Sequence, residues 1–187
     1  MHSDNWAQKA KKLGYRSRAF FKLEEILNKT VDQKKIKYIL DLGASPGGWS
    51  QLASKRFHNS CIYAIDILEM EPLENVNFFQ ENIENIDSIK NIHDLKGKFN
   101  LVISDIAPNI TGINTVDTEN IYNLNKLTVS IAFNYLIKDG VLIMKTFQND
   151  MLRSLRKKME LSFKIVQTYK PVASKKKSGE IYLYGVK

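Results

Sequence analysis

Residues 38–57 read YILDLGASPGGWSQLASKRF. Tyr38 to Leu42 form a short apolar run with aromatic and β-branched members, interrupted only by Asp41, and such a run reads as a buried strand. The glycines and proline between Gly43 and Gly48 then demand a tight turn. Trp49 to Phe57 return to helical spacing, so the stretch is a strand, a loop and a helix in succession. That unit opens an α/β sheet, and open α/β sheets bind ligands outside the carboxyl ends of their strands. The loop after Leu42 is the first candidate for a site.

Outward from this unit, CIYAIDI (61–67), VNFFQ (76–80), FNLVISDI (99–106) and VLIMKTF (141–147) repeat the strand pattern, the third of them stopped by Pro108. Apolar residues at Ile121, Leu124, Leu127, Ile131 and Leu136 make a helical stripe over Ile121–Ile137 that ends before Asp139-Gly140. The tail adds a helix near Asp150–Met159, a strand near Phe163–Thr168, the polar loop KPVASKKKSG (170–179) and a last strand, EIYLYGV (180–186). Only a loop joins those two strands, so they pair antiparallel at one edge. Ahead of the first strand, Ser17 can cap a helix with Phe20, Leu23 and Leu27 on one face. The expectation is a Rossmann-like α/β fold: a mostly parallel seven-stranded sheet with one antiparallel edge strand and helices on both faces.

The 187 residues suit a single domain, with a basic helical segment at 1–37 and the sheet core at 38–187. At 43% apolar and 26% charged residues the chain is neither disordered nor fibrous. No apolar run approaches the length of a membrane helix and the opening has no signal-peptide core, so a soluble intracellular protein is expected. The single Cys61 allows no internal disulfide, and His2, His58 and His93 show no ligand spacing, so no metal is expected. Charge is segregated. Residues 1–38 carry 10 Lys and Arg against 4 acids, residues 39–150 carry 8 against 14, and residues 151–187 carry 10 against 2. Two basic ends around an acidic middle suit a polyanion, and RNA or DNA is the expected partner.

The loop makes room for a ligand through Gly43, Gly47 and Gly48, since glycine lets a backbone approach closely. It is not the dinucleotide fingerprint G-x-G-x-x-G, because Ala44-Ser45-Pro46 follows Gly43. Asp66 ends the second strand 23 residues past Gly43, where a carboxylate accepts from both hydroxyls of a ribose. Nicotinamide and S-adenosylmethionine enzymes both place an acid there. Asp105 closes the fourth strand, Lys145 lies near the end of the fifth, and Glu180 begins the last, so all three reach the same edge. A lysine inside an apolar strand is costly to bury without a partner, which sets Lys145 apart from surface lysines.

These residues resemble the FtsJ family of ribose 2′-O-methyltransferases. The resemblance runs from Lys9 to Val186 and rests on five motifs in order: Ser17 to Leu23, Asp41 to Gln51, Ser104 to Asn109, Lys145 to Gln148, and Lys170-Pro171 through Glu180-Ile181-Tyr182. It implies an S-adenosyl-L-methionine-dependent methyltransferase fold and a Lys-Asp-Lys-Glu tetrad at Lys22, Asp105, Lys145 and Glu180. It also implies cofactor contacts from Gly43, Gly47, Trp49, Asp66 and Asp105. Ser45 replaces the family's usual alanine, and Asn82 stands where the family commonly has an aspartate near the adenine amino group. The Asn82 carbonyl can still accept that bond, without a charge.

A ribose 2′-hydroxyl must lose its proton as it attacks a sulfonium methyl. Lys145 serves either as the base or as the cation that holds the developing alkoxide, with Asp105 orienting it and Lys22 and Glu180 placing the ribose. Arg16, Arg18, Lys175, Lys176 and Lys177 are the expected phosphate contacts. Within the family, Gly47 to Gln51 and Asn109 to Gly112 look more like the enzymes of large-subunit ribosomal RNA, so the expected target is a uridine of that RNA within a large ribosomal subunit. The protein is expected to act as a monomer in the cytoplasm, or in the mitochondrion or nucleolus of a eukaryote. A transfer RNA methyltransferase, a nicotinamide-dependent oxidoreductase and a non-catalytic RNA-binding module are the alternatives.

Overall fold

The computed structural model describes residues 5–30, 36–109, 111–175 and 178–187. Strands β1 (Tyr38–Leu42), β2 (Cys61–Asp66), β3 (Val76–Gln80), β4 (Phe99–Ser104), β5 (Leu136–Phe147), β6 (Ile165–Tyr169) and β7 (Glu180–Val186) form a sheet in the order β3-β2-β1-β4-β5-β7-β6. The first five run parallel, and β7 runs antiparallel to both β5 and β6. The expected antiparallel pair therefore closes one edge, with the reversed strand one place in and β6 outermost.

Alternation along the strands sorts side chains to two layers. Ile39, Leu101, Ile103 and Ile143 pack with residues of α1 (Asn5–Lys12), α2 (Ala19–Thr30) and α3 (Gly48–Arg56). Leu40, Leu42, Val102, Leu142 and Met144 pack on the other face against α5 (Asn114–Tyr135) and α6 (Leu152–Glu160), with Ile92 of α4 (Lys90–His93) in the same layer. Both faces are covered, which is why the inner strands read as nearly unbroken apolar runs rather than alternating ones. Among the described residues no helix is long and apolar enough to cross a membrane.

Two boundaries differ from the sequence reading. Helix α5 begins at Asn114, seven residues before the apolar stripe, because Asp117 gathers the N–H groups of Thr111 and Gly112 and the Thr111 hydroxyl into a folded turn at its start. It ends at Tyr135, and Leu136 passes directly into β5, where it pairs with Phe99. The Lys187 ammonium donates to the carbonyls of Phe133 and Leu136, supplying the cation that a helix C-terminus favours. Ser17 does precede α2, but its carbonyl accepts from Phe20 N, and its hydroxyl is turned against Gly48.

Candidate active site

The alternation that builds the core also assembles the charged residues. Ile143 faces the layer of α1 to α3, so Lys145, two residues on, faces it too; Tyr182 and Glu180 do the same on β7. In the β5–β7 register Lys145 lies opposite Tyr182, and Phe147 opposite Glu180. Asp105 follows Ile103 just beyond β4. Helix α2 crosses this layer and contributes Lys22, 4% exposed.

Two ion pairs result. Lys22 Nζ lies 2.7 Å from Glu180 Oε1, with side chains 5% and 11% exposed. Lys145 Nζ lies 3.3 Å from Asp105 Oδ1 and also donates to the Asp105 carbonyl, with side chains 11% and 22% exposed. Tyr182 joins them: its hydroxyl donates to Asp105 Oδ1 at 3.1 Å, and the Lys22 ammonium lies 5.8 Å from its ring centroid. The Ser174 hydroxyl donates to Glu180 Oε1 at 2.9 Å. All four tetrad residues are thus brought together.

Burial pushes the Glu180 carboxyl up, but the hydrogen bond and charge of Lys22, the Ser174 hydroxyl and the charge of Lys145 outweigh it and hold it below its ordinary value. Burial also raises the Tyr182 phenol, with Asp105 and Glu180 adding to the effect, and keeps it a donor. Asp41 behaves differently. It is buried beside Ser50, whose hydroxyl donates to Oδ2 at 2.6 Å, while Oδ1 has no partner among the described residues. Burial first, then the charges of Asp105 and Asp66, raise its pKa to about 7 despite the Ser50 bond.

A cleft of about 730 Å³ opens outside the strand ends and is lined by Gly43, Asp66, Asn82 and Asp105, among others. That is within the range of small-molecule sites. Ser45 N and Leu68 N donate to Asp66 Oδ2 and Oδ1 at 2.9 and 2.8 Å, which fixes the carboxylate while leaving each oxygen able to accept again. Ile67 and Leu68, 65% and 61% exposed, supply apolar wall beside it. Gly43 has φ +74°, and a Cβ there would stand 2.6 Å from Ile106 Cβ, so a side chain at this position collides with the far wall of the cleft. An acid oriented for two hydroxyls, next to apolar surface for a base, fits the nucleoside half of S-adenosylmethionine.

The remaining sequence-predicted residues are placed otherwise. Asn82 lines the cleft, but its side-chain carbonyl caps a short 3₁₀ turn by accepting from Glu84 N at 3.0 Å. Trp49 is buried, with Nε1 donating to Ala19 O at 2.9 Å and its ring packed on Tyr182; it lines a small recess with Ser17, Gly43 and Asp105 rather than the cleft. Gly47 lines neither cavity and has φ +102°; a Cβ there would meet Arg16 Nη1 at 2.7 Å. The Arg16 guanidinium is engaged by the carbonyls of Pro46, Glu71 and Pro72, at 3.3, 2.7 and 2.8 Å, and so fastens the segment before α2 to the loops around the cleft. Arg18 is half-buried between α1 and α2, and Lys175 is exposed. Lys176 and Lys177 lie outside the described residues.

Sequence reasoning did not assign roles to Tyr182 or Ser174. Tyr182 is legible afterwards as the residue two past Glu180, hence on its face of β7. Ser174 sits in an irregular loop, where no periodicity marks it.

The sequence matches the FtsJ-like methyltransferase family over residues 15–187. The chain belongs to that family. It is a methyltransferase, and S-adenosyl-L-methionine is its methyl donor. It is 39% identical over 186 residues to the ribosomal RNA large subunit methyltransferase E of Wigglesworthia glossinidia brevipalpis, covering 99% of this chain and 92% of that one. It is 40% identical over 187 residues to the enzyme of the same name from Ehrlichia chaffeensis, covering 98% and 88%. A crystal structure of a Plasmodium falciparum protein described as a ribosomal RNA methyltransferase superposes with a TM-score of 0.79 at 32% identity, over 92% of this chain and 97% of that one. Family membership sets aside the nicotinamide-dependent alternative.

Proposed function

We propose that this protein methylates the 2′-oxygen of a ribose in large-subunit ribosomal RNA. The observation that carries the reading is the meeting of the Lys22–Glu180 and Lys145–Asp105 pairs beside a nucleoside-sized cleft. The near-full-length relatives named for large-subunit ribosomal RNA support the substrate.

S-adenosyl-L-methionine, when bound in the cleft, supplies an electrophilic methyl group on a positively charged sulfur. Asp66 would hold its ribose hydroxyls, Asn82 would face its base, and Gly43 keeps the cleft open between them. Lys145 Nζ is the group for the substrate hydroxyl. Two of its directions are taken by Asp105, which leaves the third for the 2′-oxygen: as a neutral amine Lys145 takes the hydroxyl proton on the lone pair that points there, and as an ammonium it donates its remaining N–H to the developing alkoxide. Asp105 fixes that ammonium through its carbonyl and its carboxylate. Lys22 and Glu180 shape the pocket for the ribose next to it, and Tyr182 transmits their position to Asp105. All of these groups come from one chain, which supports a monomer as the working unit.

The RNA phosphates are held by the two basic ends, with Arg18 and Lys175 to Lys177 as contacts. The occupied guanidinium of Arg16 supports a fastening role for that residue instead. The test is incubation with labelled S-adenosylmethionine and large ribosomal subunits lacking the modification, followed by mapping of the label. One methylated ribose, at the uridine that the family resemblance suggests, is expected. Label on a base, or on small-subunit RNA alone, would overturn the reading.

A further inference from the structure

We infer that Ser174 is a positioning residue for the methyl transfer, acting by holding the Glu180 carboxylate in the orientation that meets Lys22; this rests on the reading of Glu180 and Lys22 as part of the site. Glu180 Oε1 accepts two bonds, from Lys22 Nζ at 2.7 Å and from Ser174 Oγ at 2.9 Å. All three residues are buried, at 4% for Lys22, 8% for Glu180 and 6% for Ser174. Water has little access to replace either bond, so the serine hydroxyl is part of how this carboxylate is satisfied.

The loop that carries Ser174 is anchored to the same helix as Lys22. Val172 N donates to Glu25 Oε2 at 2.7 Å, and Glu25 lies one turn along α2 from Lys22. Ala173 is buried in the layer formed by α2 and β7, and Ser174 N closes a turn by donating to Pro171 O at 3.0 Å. At the other end of the loop, Glu180 N donates to Ser178 Oγ at 3.2 Å. Helix α2, strand β7 and the 170–174 loop thus converge on one carboxylate, and the Ser174 hydroxyl is the loop's contribution to it. Lys22 from α2 and Tyr182 on β7 already hold the carboxylate, and Ser174, approaching from the loop, adds a further donor to Oε1, so that rotation about the last torsion would break two bonds to that oxygen at once. The hydroxyl also helps to keep Glu180 ionised, against its burial.

The experiment compares Ser174→Ala, Ser174→Thr and Ser174→Cys in single-turnover methylation of large ribosomal subunits, alone and combined with Glu180→Ala. Ser174→Ala is expected to slow transfer about tenfold, equivalent to about 1.4 kcal/mol, with donor and RNA dissociation constants changed less than about twofold. Ser174→Thr, which keeps the hydroxyl, restores the rate to within about threefold, and in the Glu180→Ala background the serine substitution has no further effect. Should Ser174→Ala fail to fold, Ser174→Cys fills the same space with a much weaker donor and must show the same loss. A normal rate in Ser174→Ala or Ser174→Cys beside a slow Glu180→Ala overturns the role of Ser174 and leaves the tetrad standing. Effects of Ser174→Ala and Glu180→Ala that multiply also overturn it, because the serine then acts elsewhere. A normal rate in Glu180→Ala itself removes the tetrad reading on which the inference rests.

Discussion

The two lysine–carboxylate pairs at the sheet edge have the same chemistry and different surroundings. Lys22 and Glu180 are sealed, at 5% and 11% side-chain exposure, and Glu180 takes a further bond from Ser174. Lys145 and Asp105 are more open, at 11% and 22%, and Asp105 lines the cleft. A sealed pair whose acceptor is already satisfied has little left to offer a substrate, while an open pair beside the cofactor cleft can reach one. The difference divides the labour: the open pair meets the reacting oxygen, and the sealed pair holds the frame around it. Charge alone does not make this distinction.

The largest effect expected from that division is on the open pair. Lys145→Ala should lower the single-turnover rate by about a thousandfold, within the range for losing a group that moves or neutralises a proton in the transition state, while donor and RNA affinities stay nearly unchanged. Lys145→Arg should fail as well, because a planar guanidinium cannot reproduce the contact of a compact ammonium with both the carboxylate and the carbonyl of Asp105.

A smaller effect is expected at the carboxylate of the cleft. Asp66→Ala should weaken S-adenosylmethionine by about 10-fold to 150-fold, the cost of a hydrogen bond to a charged group. Calorimetric titration measures it. Since Asp66 touches neither pair, the transfer rate at saturating donor should change little, and a collapse of that rate would show that the pairs and the cleft are not separable.

The smallest effect concerns a carboxyl with no cation partner among the described residues. Asp41 shares the sheet edge with the two pairs, and its pKa is raised to about 7, chiefly by burial. The folded protein therefore binds a proton that the unfolded chain releases near pH 4, so this contribution to stability is complete below pH 4 and is lost as pH rises through 7. Each pH unit within that window removes at most about 1.4 kcal/mol. Urea denaturation at pH 5 and pH 7.5 should show wild type losing stability relative to Asp41→Asn as pH increases. Parallel curves for the two proteins would mean that Asp41 keeps its ordinary pKa and stays ionised in the folded protein, against the effect of burial.

Much of this was legible from alternation and strand ends. The ranges of β1, β3 and β7 coincide with the apolar runs at 38–42, 76–80 and 180–186, because covered strands leave a sharp composition boundary. At β2 and β4 the run extends past the strand: Ile67 turns out beside the cleft, and Asp105 and Ile106 leave the sheet to line it. Asp66 and Asp105 followed from the same rule, since a polar residue at or just past the carboxyl end of a parallel strand borders the cleft, while Glu180, at the amino end of the reversed β7, comes to the same end of the sheet through its antiparallel pairing with β5. Arg16 did not follow, because two of its carbonyl partners, Glu71 and Pro72, are more than 50 residues away in the chain and leave no mark beside it. The first turns of α5 were hidden for a related reason: Asn114 to Asn120 lack an apolar stripe, and a side chain, Asp117, organises their start.

The division between the pairs is tested most directly by Lys145→Ala and Lys22→Ala side by side, in single-turnover methylation at saturating donor and in urea denaturation of the same preparations. Lys22→Ala leaves Glu180 buried without its cation, so it should cost about 3–5 kcal/mol of stability, and its rate, measured where it is folded, should fall no more than about a hundredfold. Lys145→Ala should show the reverse, with a much smaller loss of stability and a rate at least about ten times lower than that of Lys22→Ala. A Lys145→Ala protein that transfers methyl groups as fast as Lys22→Ala or faster would contradict the account.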